Sequence, residues 1–226
     1  MAHRRPGQHA DERPRLTAGP ELGGHAHPTQ VPGVPEITLL LADEVFSVWE
    51  DGVELPFWAF AWPGGQVLAR WLLDHRELVA GRDVVDLGCA SGLVGIAAAI
   101  AGARSVLCID VDPAATTAAR VNADLNGVVV EVRTADVLDE PARADVTGGV
   151  VLAGDLFYER GLAIRSTAWL RRQAAAGAWA LAGDAERSYA PTDGIRVLAE
   201  FLVDTHAGIE RGPTASVRVL EILPTP

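Results

Sequence analysis

Val84-Val85-Asp86-Leu87-Gly88-Cys89-Ala90-Ser91-Gly92-Leu93-Val94-Gly95, followed by Ser105-Val106-Leu107-Cys108-Ile109-Asp110, decides how this chain of 226 residues reads. A short β-branched run stops at an acid and enters a glycine turn, and an alanine-rich helical pattern continues through residues 96–101. A second apolar run then ends on another acid. Strand, turn, helix and strand in that order open a nucleotide-binding sheet.

Two cofactors compete for such a turn. A dinucleotide wants G-x-G-x-x-G, with its pyrophosphate on the helix N-terminus. From Gly88 this chain reads G-x-A-x-G-x-x-G, which breaks the spacing. Asp86 would oppose a pyrophosphate but suits the ammonium and sulfonium of S-adenosylmethionine (SAM). Asp110, 22 residues beyond Gly88, stands close to the roughly 20 at which a second-strand acid reaches ribose hydroxyls. The acid–glycine–acid arrangement therefore reads as a SAM site, with Asp86, Gly88, Gly92 and Asp110 as cofactor-binding residues.

Downstream, Asp112-Pro113 caps and starts a helix that stops at Asn126-Gly127. A third strand over 128–132 leads to Asp136, placed to accept the exocyclic amine of adenine, with Val137 under the ring. A fourth strand over 149–153 ends in Gly154-Asp155-Leu156-Phe157-Tyr158. Asp86, Asp110, Asp136 and Asp155 all fall at strand ends, beyond which ligands of open α/β sheets bind. The pattern then predicts a helix over 162–175, a strand over 179–182 and a helix around 195–201. A closing hairpin is predicted between 207–211 and 216–223. The fold class is α/β, a Rossmann-like, seven-stranded, mostly parallel sheet with a C-terminal antiparallel hairpin.

Upstream, 37–41 and 45–49 read as strands, and Asp51-Gly52 as a turn. Residues 57–62 read as a further strand that sets Trp58, Phe60 and Trp62 on one face. Such a face is either core or the wall of a pocket for cationic groups. Trp62, directly before Pro63-Gly64-Gly65, reads as a cofactor-pocket wall, with Trp58 and Phe60 on the substrate side. A helix then runs to Gly81, completing an N-terminal strand/helix extension. Residues 1–34, rich in Pro, Gly, His and Arg, read as a disordered leader ahead of one domain over 35–226. His25 and His27 read as solvated histidines, and no metal site is expected.

A hydrophobic content of 49% in 226 residues supports one domain that buries about 70% of its surface. The net charge of −11 argues against a nucleic-acid substrate. All 19 basic residues are arginines, so no lysine serves as a base or forms a Schiff base. Cys89 and Cys108 read as buried thiols. No 18-residue apolar run or signal-peptide core appears, so the expectation is a soluble cytoplasmic protein without a membrane partner.

Val34-Pro35-Glu36-Ile37, Trp62-Pro63-Gly64-Gly65-Gln66, Asp86-Leu87-Gly88 and Gly154-Asp155-Leu156-Phe157-Tyr158 together resemble class I SAM-dependent methyltransferases. Within that class they look in particular like the branch of protein-lysine methyltransferases that modify the β subunit of electron transfer flavoprotein. One departure is Ala90, where those relatives usually carry a glycine. The resemblance implies a SAM-dependent protein-lysine N-methyltransferase in which Asp155 positions the incoming amine. Tyr158 would wall the acceptor channel, and Phe157 would contact substrate. A small-molecule N- or O-methyltransferase, a ribosomal-protein methyltransferase and a non-catalytic SAM-binding module are the alternatives.

Overall fold

Continuous apolar runs make strands that can be buried on both faces, and amphipathic helices supply the cover. The computed structural model describes residues 26–42, 56–141, 146–204 and 214–224. Its strands are β1 (Ala26–Val31), β2 (Val34–Ala42), β3 (Asp83–Leu87), β4 (Ser105–Asp110), β5 (Glu131–Thr134), β6 (Val150–Gly154), β7 (Trp179–Asp184), β8 (Ile195–Asp204) and β9 (Thr214–Ile222). Its α-helices are α1 (Pro63–Asp74), α2 (Leu93–Ile100), α3 (Pro113–Leu125) and α4 (Arg160–Ala175).

Seven of these strands form one sheet in the order β5-β4-β3-β6-β7-β9-β8. Strands β5 to β7 pair in parallel, and β9 runs antiparallel to both β7 and β8. Alternate side chains divide the core. Val84, Val106, Val150 and Leu152 join α1 and α2 on one face, while Val85, Ile109 and Val151 join Trp169 and Leu170 of α4 on the other. The chain leaves β3 for β4 and β5, then crosses back to β6. The crevice of the sheet therefore opens where β3 and β6 end side by side.

Four expectations change. Residues 57–62 are not a strand: Phe57–Ala59 is a 3-10 turn closed by the Ala59 amide on the Pro56 carbonyl at 2.9 Å. Residues 195–201 belong to strand β8 rather than a helix, because the ladder with β9 and the β-branched positions outweigh Leu, Ala and Glu helix propensity. The long helix ends at Asp74, where His75 leaves helical geometry and stacks on Trp71 at 3.8 Å. The leader reading also gives way beyond Ala26, where β1 pairs with β2 in a separate hairpin. The expected strand at 45–49, the hairpin arm at 207–211 and His25 lie outside the described residues.

The hairpin is fastened to α3 by two asparagines that imitate a neighbouring strand. Asn126 accepts the Thr38 amide at 2.9 Å and donates to the Thr38 carbonyl at 2.7 Å. Asn122, fully buried, accepts the Leu40 amide at 2.8 Å and donates to the Ser91 carbonyl of the glycine loop at 2.8 Å.

Candidate active site

Helix α2 begins after Gly92, whose φ of +82° suits glycine and whose missing side chain lets the loop rest on Ala119 of α3. Asp86 Oδ2 accepts the Gly95 amide of the first turn at 2.8 Å. This carboxyl is 1% exposed, and burial pushes it up to about 7. A helix N-terminus that a pyrophosphate would use thus already holds an internal carboxyl. Asp86 and Gly92 stand behind the residues that line the cavity beyond the strand ends, where they support the loop from beneath.

That cavity has a volume of about 780 Å³. Gly88 and Ala90 line it from the loop, Asp110 and Asp112 from the end of β4, and Asp136, Val137 and Leu138 from beyond β5. Asp110 accepts the Ala90 amide through Oδ2 and the Asp112 amide through Oδ1, each at 3.0 Å. Burial raises it above the usual carboxylate range. Ala90 adopts φ +46°, a conformation a glycine holds at no steric cost. Asp136 accepts the Leu138 amide at 3.1 Å and pairs with Arg165 at 2.9 Å, which holds it below its ordinary range. Ala26 and Ala42 of the hairpin close one side.

Aromatic rings close the other. Trp58 and Trp62 both line the cavity, and the Trp62 indole donates to the Phe57 carbonyl at 2.8 Å. Tyr158 stacks on Phe57 with ring centres 5.4 Å apart, both rings about half exposed at the rim. Two residues expected on the substrate side stand behind this wall. Phe60, 3% exposed, meets Trp62 edge-on at 6.1 Å. Phe157, with no exposed surface, packs with Trp169 and Leu170 in the core. The 3-10 turn is the reason for the first displacement, since it replaces the alternation that would set Trp58, Phe60 and Trp62 on one face. Phe57, which a strand would turn away from them, comes to the cavity instead.

Asp155 sits where β6 ends, at φ +53°, a strained conformation for a residue with a side chain. Its Oδ2 accepts the Gly65 amide of α1 at 2.9 Å. The approach requires Gly64: a Cβ there would stand 2.5 Å from Asp155 Oδ2 and from the Gly183 carbonyl. Its Oδ1 meets Arg187 Nη2 at 3.3 Å. Burial dominates over these partners and lifts the carboxyl to about 6.

Arg187 went unread in the sequence, although a signal was present. Gly183-Asp184 ends β7 in register with Gly154-Asp155 at the end of β6, so the same dipeptide is repeated on adjacent strands. Asp184, fully buried, accepts the Arg187 amide at 3.2 Å and pairs with Arg218 at 2.9 Å.

The donor set fits SAM. The cavity lining carries four carboxylates (Asp110, Asp112, Asp136, Asp155) and one guanidinium, with apolar Ile109, Val137 and Leu162. Such a lining suits a ligand with hydroxyls, an apolar base and positive charge, and repels a pyrophosphate.

The chain is similar to known methyltransferases. The family described as ribosomal protein L11 methyltransferase (PrmA) matches residues 69–156. The electron transfer flavoprotein beta subunit lysine methyltransferase of Xenopus laevis is 39% identical over 172 residues, covering 73% of this chain and 68% of that protein. The protein of the same name from Danio rerio is also 39% identical, over 61% of this chain but only 54% of its own length. The fold is shared with the magnesium protoporphyrin IX methyltransferase of Synechocystis PCC 6803 with bound SAM, at a TM-score of 0.50 and 17% identity over 70% of this chain and 79% of that one. The chain belongs to the family of electron transfer flavoprotein β-subunit lysine methyltransferases and is a SAM-dependent enzyme.

Proposed function

We propose that this enzyme methylates a lysine side chain of a protein acceptor, the β subunit of electron transfer flavoprotein or a close counterpart of it. The acceptor follows the names of the frog and zebrafish relatives. The observation that carries the reading is Asp155, a buried carboxylate at the inner end of an aromatic-lined cavity. On this reading Asp110 holds the ribose hydroxyls, Gly88 and Ala90 give the loop backbone, and Asp136 and Val137 hold adenine. Trp62 walls the side nearest Asp155. The acidic chain has its place in the cytoplasm and takes no nucleic acid as substrate.

Bound SAM supplies a methyl carbon already activated on a sulfonium, so the protein must mainly align a neutral amine and exclude water. A lysine amine with an ordinary pKa of about 10.4 arrives as ammonium. Asp155 Oδ1 takes the amine as a hydrogen-bond donor and orients its lone pair. Trp58, Trp62, Phe57 and Tyr158 surround the alkyl chain and remove solvent. Burial and the nearby Asp110 charge raise the Tyr158 phenol further, so its hydroxyl stays protonated and acts as a hydrogen-bond partner only.

The test is incubation with radiolabelled SAM and a lysate of the source cells, followed by separation of protein from small molecules. Label on one lysine of the flavoprotein β subunit, identified by mass spectrometry, supports the proposal. Because this chain contains no lysine, a lysine-labelled band always reports a substrate and never self-modification. Label confined to small molecules overturns it in favour of a metabolite acceptor. Retained SAM without transfer overturns it in favour of a binding module.

A further inference from the structure

Amine methylation sets a conflict inside this cavity. A carboxylate that attracts the acceptor also stabilises the ammonium form, which has no lone pair to react. Asp155 is well placed to attract: one side of the carboxyl is fixed by the Gly65 amide, leaving Oδ1 for a ligand. Oδ1 is the oxygen that Arg187 reaches, at 3.3 Å, with the guanidinium 19% and the carboxylate 8% exposed. Charge-assisted N–H···O contacts usually close to about 2.7–2.9 Å, so this longer pair leaves room for an amine to share the oxygen. Both residues line the cavity.

We propose that Arg187 is a positioning residue that neutralises Asp155, so that the carboxylate receives the acceptor as a neutral amine rather than as a stable ammonium ion pair. The inference rests on the lysine-acceptor reading above. Arg187 acts through Asp155. Its positive charge, fixed at the shared oxygen, disfavours a second cation there, and the ammonium releases its proton to solvent before transfer. The supports are built in. The Arg187 amide is held by Asp184, and Asp184 is itself neutralised by Arg218 of β9. Among the described residues, the charged groups acting on Asp155 include Arg187 and Asp184, with Arg218 behind Asp184, and the Gly65 amide at the N-terminus of α1 adds a hydrogen bond.

Two measurements on Arg187→Gln and Arg187→Lys test this. In the cofactor-free protein, the Asp155 carboxyl carbon is titrated by carbon-13 NMR. The midpoint should rise by about one pH unit in Arg187→Gln and stay near wild type in Arg187→Lys. With the flavoprotein β subunit as acceptor, Arg187→Gln should lower KM. It should also move the kcat inflection of the bound ammonium to higher pH by about one unit, costing about tenfold in kcat at pH values below that inflection and little well above it. Unchanged midpoint and inflection overturn the inference. A loss of kcat equal at every pH also overturns it, because that is what a purely structural role gives. If the carboxyl midpoint shifts as expected while wild type transfers no methyl to the flavoprotein, the acceptor assignment fails and the Arg187–Asp155 pairing stands.

Discussion

Asp155 and Gly65 are ninety positions apart in the chain, yet the amide of one donates to the carboxylate of the other at 2.9 Å. The bond ties the first turn of α1 to the end of β6, and so joins the aromatic wall to the acceptor carboxylate. Burial lifts that carboxyl to about 6, well above the ordinary 3.8. Below about pH 6 it is protonated and its capacity to orient an amine falls. The kcat/KM profile should therefore lose activity on the acid side near pH 6. Asp155→Asn should remove the inflection near pH 6, leave the slope set by the amine's own ionisation, and lower kcat/KM about a hundredfold, which steady-state assays from pH 5 to 9 will read.

Asp86 and Asp110 separate in their effects. Asp110→Ala should weaken SAM binding about ten- to a hundredfold by calorimetry, because it removes a carboxylate inside the cavity. Asp86→Asn keeps an oxygen for the Gly95 amide and should change SAM affinity little. Its signature is stability. A carboxyl raised to about 7 in the fold binds a proton that the unfolded chain releases near pH 4, so wild-type stability falls as pH rises from about 4 to 7. Asp86→Asn should flatten that slope in urea melts at pH 5 and pH 8.

Two adjacent glycines should behave oppositely. Gly64→Ala drives a methyl into Asp155 and the Gly183 carbonyl, and should cost about 1–3 kcal/mol together with activity. A Cβ on Gly65 meets only Val94 and Leu93 at 3.8 Å or more. Gly65→Ala should keep the thermal midpoint near wild type.

Tyr158 and Phe157 divide surface from core. Tyr158→Ala removes the rim stack on Phe57 and should raise KM for the protein acceptor about three- to tenfold without loss of stability. Tyr158→Phe keeps the ring and should restore KM. Phe157→Ala should instead cost about 3–5 kcal/mol of stability, visible as an earlier denaturant midpoint.

How much of this was legible follows from the period of each segment. The strands whose ends carry Asp86, Asp110 and, one residue past β6, Asp155 are short apolar runs stopped by acids, and they read directly. Glycine spacing and acid placement also carried the cofactor. Phe57 and Phe60 exchanged places because a proline-led 3-10 turn has no alternation to follow. Residues 195–201 carry Leu, Ala and Glu, and only pairing with β9 tells their strand from a helix. Nothing local in the sequence announces that Asp86 also receives the Gly95 amide, nine residues on. Arg187 depends on β6 and β7 lying side by side, which is a tertiary fact.

The Asn122 and Asn126 clasp has a consequence for where the folding unit begins. A chain started at residue 43 would retain every strand of the large sheet and all four α-helices. It would still lose Ala26 and Ala42 from the cavity, and the Asn122 carboxamide oxygen would lose the Leu40 amide it accepts. Because the same Asn122 side chain also holds the Ser91 carbonyl, removing the hairpin loosens the loop that carries Gly88 and Ala90. The smallest autonomous enzyme is therefore larger than its sheet, and amino-terminal trimming past Ala26 should be felt first as lost cofactor affinity.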